Sequence, residues 1–531
     1  MLRARRAAPR PGPAGAPPVA GSTVSDRGPA PGRPAGRQPA GVFDVLAGAL
    51  ERDPDAEAVV TRQRRVTYAG LDALADRAAG ALALLGVGPG DRVAAALPND
   101  FDVLVAFHGA MRLGAVWVGV GRALTPTEKA HVITDTGAVV VVGDGFNIGH
   151  LEGRVDRGVR LVSQAGWHSA LDASTGRPPV PAPDPGAPAA IAYTSGTAGR
   201  PRGAVHSQAA LVLPGAAVVA RRGWGPPLRK ADSLPLTTLD TMVLGTLLTA
   251  QAGGTAVVVD GADAASIVDW IRRGRATVWS APPALLRTLL EDPAVTPADL
   301  ESLEEVWVTG AACPDRLRRE FEERLGVRVS RTYGLTEAPA IVSLDDAGGE
   351  SPPGSSGRPL DHLTVSSVED EVLLSAATAG PWAGRWRPMI GYWNQPEATA
   401  AALEGAALRT GDLGGLDGSG YLHIVGRKDE MIVRGGTRVH PAQVERVLAE
   451  APGVTACAVV GIPDEHLGER VGAVVETSPG GGADRAAVLD HCRDRLADHE
   501  VPERLVFVGQ LPRDQMGRVR RAAVLGLLTE T

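Results

Sequence analysis

The segment YTSGTAGRPRG, residues 193–203, places hydroxyl side chains, glycines and arginines in one short stretch. Glycines let backbone N–H groups turn towards an anion, hydroxyls donate to phosphate oxygens, and basic side chains neutralise the charge. The segment follows an apolar stretch typical of a strand and precedes a helical pattern, so it predicts a phosphate-binding loop. Its spacing differs from that of a Walker A motif, and Arg202 stands where such loops often end in lysine. Taken alone, the segment is also compatible with a surface loop that binds nothing.

Further segments rich in glycine, hydroxyl, carboxylate and arginine side chains follow along the chain. They are RTYGLTE (331–337), RTGD (409–412), GRKD (426–429), RGG (434–436), and LPR and GR at 511–513 and 517–518. In this order they resemble the motifs of the AMP-forming acyl-adenylate superfamily, which includes acyl-CoA synthetases, amino-acid adenylating enzymes and firefly-type luciferases. The resemblance runs from about residue 43 to about residue 527 and includes the stretches GYWNQPEAT and AVVGIPDEHLGERV.

The resemblance implies a reaction in two steps. A carboxylate attacks the α-phosphorus of ATP, which releases pyrophosphate and leaves an acyl-adenylate. A thiol then attacks the activated carbonyl and displaces AMP. The resemblance also implies that a small C-terminal domain rotates about a hinge between the two steps.

The resemblance further implies a role for each motif residue. The residues expected to hold the β- and γ-phosphates of ATP are Thr194, Ser195, Gly196, Thr197, Gly199 and Arg202. Those expected around the adenine are Gly310, Ala311, Ala312 and Tyr333, with Asp412 and Arg427 at the ribose or the α-phosphate. Without the motif context, Asp412 and Arg427 are also compatible with a surface ion pair.

The remaining motif residues are assigned to the metal ion, the hinge and the thiol. Thr336 would contact the α-phosphate, and Glu337 with Thr194 would bind Mg²⁺, for which a carboxylate is a natural oxygen donor. Asp429 occupies the hinge position. Gly435 and Gly436 would let the phosphopantetheine arm of coenzyme A, or of a carrier protein, pass close to the backbone.

The chain departs from the family at both positions where a lysine is usual. Arg202 closes the phosphate loop, and Arg518 stands at the position of the adenylation lysine. Lysine is a compact charge on a flexible stem, whereas arginine is a planar fork, so the charge is kept and the geometry changes. Only three of the 54 basic residues are lysine, which favours a general replacement with activity retained. The alternative is a homologue deficient in adenylation.

The region expected to bind the carboxylic acid also departs from the acyl-CoA synthetase pattern. After Leu234-Pro235-Leu236 the family commonly has an aromatic residue and a histidine, and both are absent here. Asp240 lies about where amino-acid adenylating enzymes keep an aspartate for the substrate's amine. An N-cap of the following helix is the alternative role for Asp240.

The alternation of short apolar runs with helical patterns predicts the elements that position these residues. It indicates an α/β fold with a large N-terminal domain (41–428) of doubly wound, mainly parallel sheets with helices on both faces. A small, mobile α+β C-terminal domain (429–531) follows, and the Pro-, Ala- and Arg-rich residues 1–40 are expected to be disordered. The apolar stretch 241–259 is interrupted by polar residues and glycines, so we expect a buried helix and strand and no membrane span.

Bulk composition narrows the function further. A net charge of -7 gives no reason to expect a nucleic acid partner, and three widely spaced cysteines indicate a cytoplasmic protein with reduced thiols. Because YGLTE and GRKDEMIVRGG resemble the acyl-CoA synthetase branch, we expect an ATP-dependent ligase of fatty or aryl acids that delivers to coenzyme A, with a role in fatty acid metabolism. An amino-acid adenylating enzyme that loads an acyl carrier protein is the alternative supported by Asp240.

Overall fold

The computed structural model describes residues 37–194, 201–311, 313–349, 351–477, 483–514 and 517–530. Most of the N-terminal tail lies outside this part of the chain, so the expected disorder of residues 1–40 stays a prediction. None of the helices in the described ranges has the length and apolar character needed to cross a membrane.

The first large sheet has seven strands and carries the predicted phosphate loop. Its central strands are parallel, and two antiparallel strands complete one edge. In spatial order the strands are Gly391–Tyr392, Gly203–Ser207, Pro188–Tyr193, Val116–Gly119, Arg92–Ala96, Val140–Gly143 and Arg160–Ser163.

The second large sheet has nine strands and carries the YGLTE motif near one edge. Six neighbouring strands run parallel, and antiparallel strands flank them on both sides. In spatial order the strands are Arg358–Pro359, Ala338–Leu344, Arg328–Leu335, Glu305–Val308, Val278–Ala281, Arg229–Asp232, Thr255–Val258, Glu57–Val60 and Arg65–Thr67.

Two smaller sheets complete the described chain. An antiparallel sheet contains Leu363–Val368, Glu371–Ala376, Ala407–Leu416, Leu403–Glu404 and Leu422–Arg427. The sheet of the C-terminal region contains Thr437–Val439, Ile432–Arg434, Gly468–Thr477, Val454–Asp464 and Arg504–Val508. The predicted division of the chain at residues 428 and 429 falls between these two sheets and stays a prediction.

Helices alternate with the strands of the two large sheets, as the sequence predicted. The α-helices are Ala47–Arg52, Tyr68–Leu84, Phe101–Leu113, Pro126–Thr136, Gly145–Leu151, Gln164–Ala173, Gln208–Arg222, Leu239–Thr241, Leu248–Ala252, Ala264–Gly274, Pro283–Glu291, Asp315–Leu325, Pro396–Ala402, Pro441–Glu450, Arg485–Arg493 and Arg521–Thr529. Short 3₁₀ segments are Val42–Asp44, Pro297–Leu300 and Lys428–Glu430, and Met242–Leu247 is a π-helix.

The largest hydrophobic core lies between the two large sheets. The helix Phe101–Leu113 is buried along its whole length there, and it packs against the helix Tyr68–Leu84. Asp100 caps its first turn, and Gly114 ends it in the left-handed conformation with φ 76°. The predicted limits of this helix are confirmed because the capping signals lie at both of its ends.

Candidate active site

The predicted phosphate loop is carried by a hairpin. Its strands Pro188–Tyr193 and Gly203–Ser207 pair antiparallel, and the helix Gln208–Arg222 begins only after the second strand. The predicted helix is therefore present, but the strand Gly203–Ser207 that precedes it was not predicted. The Thr194 N–H donates to the Arg202 carbonyl at 2.9 Å, and the Arg202 N–H donates to Thr194 Oγ1 at 3.3 Å. These two bonds close the base of the loop.

The four other residues assigned to this loop are Ser195, Gly196, Thr197 and Gly199, and they lie outside the described residues.

Tyr333 and Arg427, two of the residues assigned to the nucleotide, both donate to the carboxylate of a third, Asp412. Tyr333 Oη donates to Asp412 Oδ2 at 2.5 Å, and Arg427 Nη1 donates to Oδ1 at 3.2 Å. Asp412 is 6% exposed, and burial raises its pKa although Arg427 opposes the rise. The two side chains do form the ion pair of the alternative interpretation, although its carboxylate is buried, so the nucleotide roles of Asp412 and Arg427 stay predictions. Arg427 Nε also donates to Asp429 Oδ1 at 3.0 Å, which connects the predicted hinge to the same group.

The YGLTE motif forms a tight hairpin beside the strand that follows the phosphate loop. A Cβ atom on Gly334 would lie 1.9 Å from the carbonyl oxygen of Ala340, so only glycine fits there. His206 is fully buried, and burial lowers its pKa to about 4, so its ring is neutral. His206 Nε2 donates to the Thr336 carbonyl at 2.7 Å. This bond fixes Thr336 and the adjacent Glu337 next to the hairpin of the phosphate loop.

Glu337 is oriented by a tyrosine to which the sequence analysis assigned no role. Tyr392 Oη donates to Glu337 Oε1 at 2.6 Å, and the guanidinium carbon of Arg202 lies 5.5 Å from the centre of the Tyr392 ring. Burial, together with the Glu337 carboxylate, raises the pKa of Tyr392, so the phenol is a neutral donor. Glu337 Oε2 accepts no hydrogen bond from the described residues. Tyr392 belongs to the stretch GYWNQPEAT, which the sequence analysis used only as support for the family resemblance.

Arg518 reaches the large domain from the end of the chain. Its Nε donates to the carbonyl of Gly310 at 3.1 Å, in the segment assigned to the adenine. A second contact joins the same two regions, because Arg287 Nη2 donates to the Thr455 carbonyl at 2.6 Å. Ala311 follows Gly310 and is half-buried, whereas Ala312 lies outside the described residues. The structure therefore brings Arg518 to the group of residues predicted from the motifs.

Asp240 is not an N-cap, which corrects one of its two predicted roles. The N-cap of the helix Leu239–Thr241 is Thr238, and Asp240 lies inside the first turn. Its side chain is half-buried and makes no hydrogen bond or ion pair within the described part of the chain. Burial raises the pKa of Asp240 to about 6, with Arg518 opposing the rise and Glu337 adding to it. Asp240 therefore lies within electrostatic reach of two predicted site residues.

The glycines assigned to the thiol arm lie in the sheet of the C-terminal region. Gly435 and Gly436 form the turn of a hairpin with φ of 57° and 84°, which explains why both positions are glycine. The Gly435 N–H donates to the Leu467 carbonyl at 2.8 Å within the same region of the chain. Lys428, next to the predicted hinge residue Asp429, pairs with Glu371 at 3.3 Å.

The carboxylates of the site suit a metal ion that is shared with a substrate. No cluster of three or more His, Cys, Asp or Glu side chains that could hold a metal occurs in the described ranges. Mg²⁺ commonly takes one or two carboxylates together with substrate phosphates, so it needs no such cluster. Glu337 fits this arrangement, because one carboxylate oxygen is fixed by Tyr392 and the other accepts no bond from described residues.

Comparison with family models identifies the class of the protein. Residues 46–378 match the AMP-binding enzyme model, and residues 443–518 match the model of the AMP-binding enzyme C-terminal domain. The chain therefore belongs to the AMP-binding enzyme family, and its relatives are acid–CoA ligases.

Individual relatives match over nearly their whole length. The indoleacetate–CoA ligase of Aromatoleum aromaticum is 33% identical over 489 residues, which cover 90% of this chain and 96% of that protein. A long-chain-fatty-acid–CoA ligase of Mycobacterium tuberculosis is 29% identical over 475 residues, covering 87% and 92%. The structure of ATP-bound MatB from Rhodopseudomonas palustris superposes with a TM-score of 0.83 at 28% identity, covering 92% of this chain and 98% of that one.

Proposed function

We propose that this protein is an AMP-forming ligase that activates a fatty or aryl carboxylic acid with ATP and transfers it to coenzyme A. The observation that supports the proposal most directly is the bond from Arg518 to the carbonyl of Gly310, since it joins a C-terminal cation to the segment assigned to the adenine. The relatives named above, which act on an aryl acid and on long-chain fatty acids, support both substrate classes.

In the first step these residues bind ATP and stabilise the charge that develops during attack. Tyr333 provides a ring for the adenine, and Asp412 accepts from the ribose hydroxyls. Arg202 and Arg518 supply positive charge near the phosphates, and such preorganised charge commonly contributes a hundredfold or more to rate. Mg²⁺ held by Glu337 would neutralise further phosphate charge when it is bound.

The second step would use a different position of the C-terminal domain. Asp429 follows Arg427 at the start of that domain, and the Arg427–Asp429 bond connects it to Asp412. Rotation about Asp429 would withdraw Arg518 and bring Gly435 and Gly436 to the acyl-adenylate. For this chemistry we propose a cytoplasmic enzyme, which its three free cysteines support.

Asp240 supports a second candidate substrate, an acid that also carries an amine. The half-buried carboxylate lacks a bonded partner among the described residues, and an ammonium group on the substrate would be such a partner. For such a substrate, the thiol that accepts the acyl group would be that of a carrier protein instead of coenzyme A.

The test is ATP–pyrophosphate exchange with a panel of fatty, aryl and amino acids, together with trapping of the acyl-adenylate by hydroxylamine. We expect exchange with an aryl or fatty acid, followed by thioester formation when coenzyme A is added. Exchange restricted to amine-bearing acids, and lost in Asp240→Asn, would select the second candidate. Absence of exchange with every acid would contradict both and indicate a homologue deficient in adenylation.

A further inference from the structure

Tyr392 contacts two of the groups that the proposed reaction uses. Its hydroxyl donates to Glu337 Oε1 at 2.6 Å, and the face of its ring lies under the Arg202 guanidinium at 5.5 Å. We propose that Tyr392 is a positioning residue that fixes the Glu337 carboxylate and the Arg202 guanidinium relative to each other in the phosphate site. The inference rests on the proposed adenylation reaction and explains how an arginine serves at this position.

Strand pairing places Tyr392 beside the phosphate loop. The strand Gly391–Tyr392 runs antiparallel to Gly203–Ser207, with Tyr392 opposite Ala204. The next N–H along the strand, that of Trp393, donates to the Gly203 carbonyl at 2.7 Å. Arg202 directly precedes this pairing, so the register of the two strands brings the ring of Tyr392 to the Arg202 side chain.

The short segment from Met389 to Tyr392 is also hydrogen-bonded to Glu337. The Met389 N–H donates to the Glu337 backbone carbonyl at 2.9 Å, and the Tyr392 hydroxyl reaches the carboxylate of the same residue. A residue held by both its backbone and its side chain has little freedom to change rotamer. The segment from Met389 to Tyr392 therefore connects the motif that carries Glu337 to the strand that begins after Arg202.

A third contact prevents the segment from moving along its neighbour. Trp393 Nε1 donates to the Asp135 carbonyl at 2.9 Å, and the hydroxyl of Tyr193, the last residue before the loop, donates to the Asp135 carboxylate. The strand that enters the loop and the strand that carries Tyr392 are thus fixed to one residue of the helix Pro126–Thr136. A slip in register would break both contacts.

The chemistry of the two side chains explains why arginine suits position 202. A planar guanidinium stacks on an aromatic face, whereas a lysine ammonium is a compact charge on a flexible stem. The Tyr392 ring therefore favours a position of the guanidinium over its face, beside the loop. In the part of the chain that the structure describes, Arg202 forms no ion pair with a carboxylate, so its charge is available to a phosphate.

The experiment compares Tyr392→Phe, Tyr392→Leu, Arg202→Lys and the double variant Tyr392→Leu/Arg202→Lys. Tyr421→Phe is the matched control, since its hydroxyl also donates to a carboxylate, Asp346, at 3.1 Å and an arginine also lies over its ring. The measured quantities are kcat and the KM for pyrophosphate in the exchange reaction, the Kd for ATP by calorimetry with and without Mg²⁺, and the Tm.

We expect Tyr392→Phe to lower kcat about tenfold, the size of a hydrogen bond to a charged group, with little change in the KM for pyrophosphate. It should also weaken ATP binding several-fold in the presence of Mg²⁺ but not in its absence. Tyr392→Leu should in addition raise the KM for pyrophosphate about fivefold, because the ring contact to Arg202 is lost. Arg202→Lys should raise that KM in the otherwise unchanged enzyme and have no further effect in Tyr392→Leu.

Two results would overturn the proposal. The first is a Tyr392→Phe variant whose kcat and ATP affinity match those of Tyr421→Phe. The second is an Arg202→Lys effect of equal size with and without the tyrosine, since independent residues add. Should the unmodified enzyme show no exchange with any acid, the proposed function fails, and the ATP affinities of Tyr392→Phe and Tyr421→Phe still decide the role of Tyr392.

Discussion

Two parts of the molecule combine an arginine, a tyrosine ring and a carboxylate in the same way, but only one lies in the proposed active site. At the phosphate loop these residues are Arg202, Tyr392 and Glu337. In the other arrangement, at the edge of the nine-stranded sheet, Arg358 lies 4.2 Å from the centre of the Tyr421 ring and Tyr421 donates to Asp346.

The two carboxylates differ in how far their hydrogen-bonding capacity is used. Asp346 accepts from Arg221 at 2.6 Å and from Arg358 at 2.7 Å, in addition to Tyr421. Burial favours its neutral form, but the two arginines outweigh this and lower the pKa of Asp346. Among the residues that the structure describes, Glu337 accepts one side-chain bond, from Tyr392. We call Asp346 the saturated carboxylate, because both of its oxygens accept bonds, and its bonds stabilise the fold. Glu337 is the unsaturated carboxylate, which has an oxygen that can bind a ligand.

The largest expected effect comes from removing the charge of the unsaturated carboxylate. Glu337→Gln keeps an acceptor for Tyr392 but removes the negative charge proposed to bind Mg²⁺, so we expect the exchange rate to fall on the order of a hundredfold. The Tm should change by only a few degrees, because one hydrogen bond is kept. Steady-state kinetics and a thermal melt check both expectations. A large fall in Tm with little change in rate would assign Glu337 to the structure instead of the site.

The corresponding substitution at the saturated carboxylate, Asp346→Asn, should lower stability and leave the exchange activity nearly unchanged. Asp346→Asn leaves Arg221 and Arg358 without their ionised partner, and we expect the free energy of unfolding to fall by about 2 kcal/mol. Because the folded pKa of Asp346 is lowered, its stabilising contribution is present above its unfolded pKa and is lost as the pH falls through the folded value. Urea denaturation at pH 7 and at pH 3 measures the difference, which should shrink at the lower pH. Exchange activity per folded molecule should stay near that of the unmodified protein.

Asp240 extends the comparison to a carboxylate with no bonded partner in the described part of the chain. Burial raises its folded pKa to about 6, so it is a group whose ionisation destabilises the fold. Below the unfolded pKa, Asp240 is protonated in both states, and its stabilising contribution to the free energy of unfolding is fully present. This contribution is lost as the pH rises through about 6, because the buried carboxyl then ionises. We expect Asp240→Asn to be more stable than the unmodified protein by roughly 1–3 kcal/mol at pH 8 and equal to it near pH 4. A variant that is less stable at pH 8 would mean that the carboxylate has a bonded partner in solution.

Sequence alone was sufficient for the family and for the α/β class, with parallel sheets in the large domain and a small C-terminal domain. Helix limits such as Phe101–Leu113 follow from caps and apolar periodicity, which are local properties of the chain. The role of Tyr392 depends on a contact between residues far apart in sequence, since Glu337 and Tyr392 are separated by 55 in residue number. Asp240 could not be separated from an N-cap by its sequence, since the helix begins at Leu239 and is capped by Thr238, two residues earlier than the polar pattern indicates.

The smallest expected effects separate the two arginines. Arg358→Lys loses the planar contact with Tyr421 and the Nε bond to Asp346, so we expect the free energy of unfolding to fall by about 1 kcal/mol. Arg202 is exposed and makes no ion pair within the described residues, so Arg202→Lys should change stability by less than about 0.5 kcal/mol. Urea denaturation of the two variants under one set of conditions measures this difference. Equal losses of stability would mean that Arg202 also serves the fold, and the contrast between the two tyrosine-centred arrangements would then rest on their carboxylates alone.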